Sequence, residues 1–188
     1  MPTESVLAIR VISRRRQGIR QIDTVAYSCM RVIEALKVRP VVPADLEAWR
    51  PLWDGYNAFY ARSGPTALSE EITAVTWSRF FNPIEPVFAL VAEHDGQLLG
   101  LAHYLFHRST TRVEPVCYLQ DLFTAPPARG QGVGRALVEA VYRQAAQAGA
   151  TRVYWQTQVT NSAGRLLYDK VAKHLGFIVY SHEVTGAA

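Results

Sequence analysis

Cysteine is scarce in this 188-residue chain, and the two present, Cys29 and Cys117, lie far apart in sequence. They match no metal-ligand spacing, and nothing in their number suggests an oxidising compartment, so a cytoplasmic location is expected. Cys117 falls in an apolar, strand-like run and reads as a small core residue rather than a nucleophile. His103, His107, His174 and His182 also lack metal spacing; they read as surface or packing residues, and no metal is expected. No apolar run approaches the ~18 residues of a membrane span, so no membrane partner is expected. A basic excess on the body of the chain is missing too. Residues 1–37 hold seven Arg and Lys against three Asp and Glu, whereas residues 38–188 hold thirteen of each. The net charge of +4 therefore sits in the leader, and nucleic-acid binding by the remainder is not indicated. That leader carries Arg14-Arg15-Arg16 but no apolar core of a secretory signal. An organelle-targeting segment, an added strand and a poorly ordered extension stay open, with the extension favoured and the domain spanning residues 38–188.

What remains is a mixed α/β pattern. Lys37 to Val42 reads as a short strand. Pro43-Ala44-Asp45 is a turn with Asp45 as N-cap of a helix bearing Leu46, Trp49, Leu52, Trp53, Tyr56 and Tyr60 at helical spacing. Pro51 predicts a kink or break in it. The polar neighbours Asp54, Asn57 and Arg62 are weak substrate candidates. Ser69 caps a second helix running to about Phe81, with Glu70 and Glu71 suited to its dipole. Val87 to His94 and Gln97 to Arg108 flank Asp95-Gly96, a hairpin signal. Ser109 to Pro115 reads as a polar loop, Val116 to Thr124 as a strand, and Ala136 to Ala148 as a helix stopped by Gly149. Thr151 to Val159 alternates as a strand. Asn161 caps a last helix whose face carries Ala163, Leu166, Leu167, Val171 and Leu175. Gly176 stops it, and Phe177 to Val184 is a final strand.

Between the strand and the helix lies Arg129-Gly130-Gln131-Gly132-Val133-Gly134-Arg135. Three glycines at a strand-to-helix junction let backbone N–H groups face an anion, and the helix N-terminus adds unpartnered donors and partial positive charge. The flanking arginines add formal charge. A Walker loop would need Lys-Ser/Thr where Arg135-Ala136 stands. A dinucleotide fingerprint would need glycine in place of Arg135 and an acidic residue about 20 positions on. R-x-x-G-x-G remains, as a phosphate cradle or as a glycine-rich helix entry without a ligand.

This loop resembles the coenzyme A pyrophosphate loop of the GNAT acetyltransferases. Two further motifs carry the same resemblance: Tyr118-Leu119-Gln120-Asp121-Leu122-Phe123-Thr124, and Asn161 to Phe177, which is similar to the family's N-x-x-A-x-x-L-Y…G-F segment. Gly164 stands where alanine is usual. Gly176-Phe177 arrives four residues late, as if one extra helical turn from Val171 to His174 were present. The first motif resembles polyamine and related small-amine acetyltransferases, in which a glutamate often precedes the aspartate; here that position is Gln120, which cannot be a base. The resemblance covers residues 38–184. It implies a GNAT-like, mostly antiparallel central sheet with helices on both faces, acetyl-CoA as co-substrate, and direct transfer to a small-molecule primary amine. An amino acid or a protein lysine as acceptor, a coenzyme A-binding module without turnover, and a homodimer stay open.

An alkyl amine with pKa ~10.4 is neutral about one part in a thousand near pH 7.4, which costs about 4 kcal/mol of reactivity. The site must therefore help remove a proton. Asp121 is the nearest candidate, directly or through water, against the alternative of an ammonium contact or a strand-end hydrogen bond. An oxyanion needs N–H donors, which Leu122-Phe123-Thr124 could present. By resemblance, Tyr168 is the acid for the leaving thiolate, against the alternative of a half-buried helix tyrosine. Asn161, seven residues before Tyr168 and on nearly the same helix face, is a helix cap, a coenzyme contact or both.

Overall fold

Apolar residues occupy both faces of the central strands, so the sheet must be covered twice. The computed structural model describes residues 36–184. In it β1 (Lys37–Pro40), β2 (Val87–His94), β3 (Gln97–Ser109), β4 (Arg112–Thr124) and β5 (Val153–Tyr154) form one sheet in chain order. The arginine-rich leader and Cys29 lie outside the described residues. The first four strands are antiparallel to their neighbours, and β5 runs parallel to β4. The helices among the described residues are α1 (Leu46–Phe59), α2 (Glu70–Arg79), α3 (Val133–Gln147) and α4 (Ser162–Val171). This is the mixed, mostly antiparallel architecture expected from the sequence. No helix among the described residues is long and apolar enough to cross a membrane.

Side chains alternate across the sheet. Leu90, Ala92, Ala102, Cys117 and Leu119 pack against Val133, Leu137, Val138 and Val141 of α3. Ala89, Val91, Leu101 and Phe123 pack against Trp49, Leu52, Trp53 and Tyr56 of α1. Burial of each large apolar side chain stabilises by about 1.5–3 kcal/mol. That stripe carries α1 through Pro51, where a break is expected from sequence and none occurs. Pro51 and Glu47 both face solvent, so the carbonyl left without an N–H partner can bond water. α3 comes close to β3 because Gly100 has no side chain. A Cβ there would lie 2.6 Å from the Phe123 carbonyl oxygen and 3.1 Å from Val133 and Leu137.

Local turn chemistry behaves as expected in two places. Asp95 and Gly96 take φ of 48° and 76°, as a primed hairpin turn requires. Ser69 Oγ accepts the Ile72 N–H at 3.3 Å and caps α2. Asp45 departs from its expected role. Its carboxylate accepts the Val42 N–H at 2.8 Å and the Arg39 guanidinium at 2.6 and 2.9 Å, and makes no cap bond to α1.

Four boundaries also differ from the sequence reading. The segment Ser109 to Pro115 is mostly strand, because the turn closes over Thr110-Thr111 alone and Ser109 already pairs with Arg112. β5 is two residues long, not nine. α4 ends at Val171, where the Tyr142 hydroxyl donates to the Val171 carbonyl at 2.9 Å and Ala172 is extended. The extra turn to His174 is therefore absent. Phe177 to Val184 forms no strand, since a two-residue β5 offers no ladder to extend; its apolar side chains are exposed.

Candidate active site

β4 is bonded to β3 along its whole length but to β5 only at Cys117–Val153 and Tyr118–Tyr154. Beyond Tyr118 its outer edge has no strand partner among the described residues. A cleft of about 500 Å³ fills the gap. Its walls are Leu119, Gln120 and Leu122 to Thr124 on one side, and Trp155, Gln156, Asn161 and Tyr168 on the other. Tyr56 and Tyr60 also line it, as do Arg129, Gly130 and Gly132 to Arg135 at the start of α3. An unpaired strand edge presents N–H and C=O groups to whatever enters. Leu122, Phe123 and Thr124 are therefore brought together with the glycine loop.

That loop needs its glycines. Gly130 and Gly132 have φ of 75° and 82°, a region glycine enters without strain. Gly132 is the N-cap of α3 and has no side chain to cap it, so the first-turn N–H groups are left for a ligand. A Cβ on Gly134 would meet Leu167 at 3.2 Å, which is how α4 sits so close to α3. Arg129 is bent back: its Nε donates to the Thr124 carbonyl at 3.2 Å and its guanidinium lies over Phe123. Gln131 Nε2 donates to the Pro127 carbonyl at 2.9 Å, and Gln131 is not among the cleft-lining residues. Arg135 reaches the cleft while loosely paired with Glu139 at 3.6 Å.

Tyr168 projects from α4 edge-on to Trp155, with ring centroids 5.4 Å apart. Burial, followed by the neighbouring Tyr60, pushes its phenol up to about 12. Asn161 caps α4, as expected: its Oδ1 accepts the Gly164 N–H at 3.0 Å, and its Nδ2 donates to Thr157 Oγ1 at 2.9 Å. A Cβ on Gly164 would lie 2.5 Å from Asn161 Nδ2, so a side chain there would require the cap amide to shift.

Asp121 is not on the cleft wall. It is 7% exposed, behind Tyr56, whose phenol is raised far above its usual value by burial first and the Asp121 charge second. Asp121 Oδ2 lies 2.9 Å from His103 Nδ1, and His103 Nε2 lies 3.0 Å from the Trp49 indole nitrogen. His103, only 2% exposed, is thus a partner of the candidate base that spacing rules for metals overlooked. The signal that could have found it is strand register. Asp54 is engaged with Arg50 on the surface, whereas Arg62 stands over the Tyr56 and Tyr60 rings. Among the described residues no group of three or more His, Cys, Asp or Glu is placed to hold a metal.

The sequence matches the Acetyltransferase (GNAT) family over residues 49–177. It is 36% identical over 151 residues to the D-amino-acid N-acetyltransferase HPA3 of Saccharomyces cerevisiae, spanning 79% of this chain and 91% of that protein. It is 29% identical over 147 residues to the uncharacterized N-acetyltransferase YhfO of Bacillus subtilis, spanning 77% and 95%. Among solved structures, the aminoglycoside N-acetyltransferase AAC(6')-Iy in complex with CoA shares the fold. Its TM-score is 0.67 at 17% identity, over 79% of this chain and 94% of that one.

The Asn161 cap has a measurable consequence. Asn161→Ala removes the acceptor for Gly164 N–H and should lower stability by about 1 kcal/mol in urea unfolding. An unchanged midpoint and slope would show that the cap contributes nothing.

Proposed function

This chain belongs to the GNAT acetyltransferase family, and from that premise we propose that it moves an acetyl group from acetyl-CoA directly to a primary amine of a small molecule. The observation that carries the proposal is the uncapped α3 N-terminus opening into the same cleft as Tyr168. Acetyl-CoA, when bound, supplies an activated thioester. The backbone from Gly130 to Arg135 would hold its pyrophosphate, with Arg129 and Arg135 adding charge. The free β4 edge at Leu122, Phe123 and Thr124 would bond its amide arm, and an N–H there would steady charge developing on the acetyl oxygen. Asn161, with one amide proton left, would add a contact at the cleft wall.

Two proton steps fall to two side chains, one buried behind Tyr56 and one on the cleft wall. Asp121 takes the proton of the acceptor ammonium through Tyr56 or water. Tyr168 gives one to the departing sulfur. A phenol raised to about 12 stays protonated throughout the neutral range, so Tyr168 is ready as an acid and unsuited as a base. Cys117 is fully buried in the core and its thiol is pushed up to about 12 by burial, which supports transfer without a covalent enzyme intermediate.

A second acceptor class is favoured by one observation. Arg62 lies 5.7 Å and 5.4 Å from the Tyr56 and Tyr60 ring centres, and its buried Nε has no hydrogen-bond partner among the described residues. A guanidinium so placed suits an acceptor carboxylate, and a relative acts on D-amino acids by name. An amino acid is then the small amine. Thiol release should be measured with diamines, D- and L-amino acids and their amides, and lysine peptides. Turnover of free amino acids with loss on amidation supports this class; turnover confined to peptides overturns the small-amine proposal. In the same assay Tyr168→Phe should lower kcat by about 10²–10⁴ with acetyl-CoA affinity unchanged. With wild-type Tyr168, no alkaline fall in kcat from this group is expected below about pH 10, because its raised pKa delays ionisation. A near-wild-type kcat in Tyr168→Phe, with chemistry rate-limiting, would make Tyr168 a packing residue.

We also propose a homodimer. Phe177, Ile178, Val179, Tyr180 and Val184 are exposed along one segment without helix or strand, and a second copy of the chain would cover them. Light scattering should give twice the 21.0 kDa chain mass, falling to one chain when residues 175–188 are deleted. A full-length monomer would contradict it.

A further inference from the structure

We propose that His103 is a positioning residue for amine deprotonation: it is held as a neutral ring between Trp49 and Asp121, fixes the Asp121 carboxylate, and never takes the proton itself. This rests on reading Asp121 as the proton acceptor.

The tautomer follows from the donor inventory. An indole N–H can only donate. Trp49 Nε1 is 3.0 Å from His103 Nε2, so that nitrogen must offer its lone pair. The single ring proton therefore sits on Nδ1 and is donated to Asp121 Oδ2 at 2.9 Å. A doubly protonated ring would set N–H against N–H at Trp49, and no other hydrogen-bond partner of that nitrogen is present among the described residues. The remaining neighbours are the aromatic faces of Trp53 and Phe80, at 5.4 Å and 4.7 Å between centroids. Trp49 is fully buried and His103 nearly so, which keeps water from relieving the conflict. The titratable groups on the far side face the carboxylate, not the ring: Tyr56 and Tyr60 from α1 and its end, and Tyr118 from β4, with Arg62 over the first two.

The sequence builds this pair with one inserted residue. Tyr104 is opposite Leu119, but His103 is opposite Asp121. A regular ladder would have placed Gln120 opposite His103. The β-bulge pushes Gln120 out to the cleft and substitutes a carboxylate for an amide at the buried position. One face of β4 thereby keeps its core packing while Asp121 gains a fixed donor on one oxygen. The other oxygen is left for the Tyr56 side. The proton balance is simple: the ammonium loses one proton, Tyr56 or a water passes one on, and Asp121 gains one. His103 ends as it began.

Ring ¹⁵N NMR of the intact protein reads the tautomer without any substitution. A His103 ring protonated on Nδ1 alone is expected; a ring protonated on Nε2, or on both, overturns the proposal. Trp49→Phe should release Nε2 and let the Nε2-protonated form appear; an unchanged ring would show that Trp49 sets nothing. His103→Leu should lower kcat about tenfold to a hundredfold, less than the 10²–10⁴ typical of losing the acid or base itself, with acetyl-CoA affinity kept. His103→Gln, whose amide can both donate to Asp121 and accept from Trp49, should recover part of it. A folded His103→Leu with wild-type kcat overturns the positioning role. Asp121→Asn at wild-type kcat, with the Nδ1 tautomer intact, would instead overturn the underlying reading of Asp121.

Discussion

The constraint on which this site depends is that, beyond Tyr118, β4 finds a strand partner on only one edge among the described residues. β3 pairs with it from Arg112 to Thr124, whereas β5 holds it at Cys117 and Tyr118 and then stops. A sheet edge opened inside a domain leaves backbone donors and acceptors without partners. Here they face a cleft whose far end is the bare N-terminus of α3. Gly100 lets α3 lie against β3, and Gly134 lets α4 lie against α3, so the cradle and Tyr168 are carried to the same opening by close backbone approach. The chemistry proposed for this acetyltransferase is thus arranged by where the sheet fails to close.

In the proposed reaction, acid and base are separated by environment more than by residue type. Tyr168 and Tyr56 are both raised by burial, but only Tyr56 has the Asp121 carboxylate for a neighbour. Tyr168 lies against Trp155 with Tyr60 near it, and in the proposed reaction it keeps its proton for the leaving group. Tyr56 sits where a proton can be handed inward. Asp121 itself is kept from bulk water by α1, whose aromatic stripe also carries the Trp49 that fixes His103. The same buried stripe therefore holds the fold together and, on the proposed reading of Asp121, sets the geometry of the base.

Much of this was legible in the sequence where local chemistry decides structure. Asp95-Gly96, the Ser69 cap, the glycine loop before α3 and the Asn161 cap all follow from short-range requirements. The apolar run of β2 and the stripe of α1 were read from the residues, whereas helices on both faces followed from the family resemblance. What failed depended on pairing. Ser109 to Pro115 is polar and reads as a loop, so the register of β3 on β4 could not be counted, and the His103–Asp121 pair stayed hidden. Thr151 to Val159 alternates as a strand should and Phe177 to Val184 reads as one, but neither pattern shows whether an edge is there to receive it. Pro51 was overweighted because its cost is local, while the packing that offsets it is not.

The central claim is that the α3 N-terminus binds the coenzyme through backbone donors. The most direct measurement is calorimetric titration of acetyl-CoA into the wild type, Gly132→Asn and Gly132→Asp, each checked for folding. Asparagine tolerates the left-handed conformation at φ of 82° and matches aspartate in shape, so the pair isolates the added negative charge. Affinity should fall from wild type to asparagine, and by at least a further ~tenfold, about 1.4 kcal/mol, to aspartate. Equal affinity in all three would place the coenzyme elsewhere and contradict the site described for this cleft.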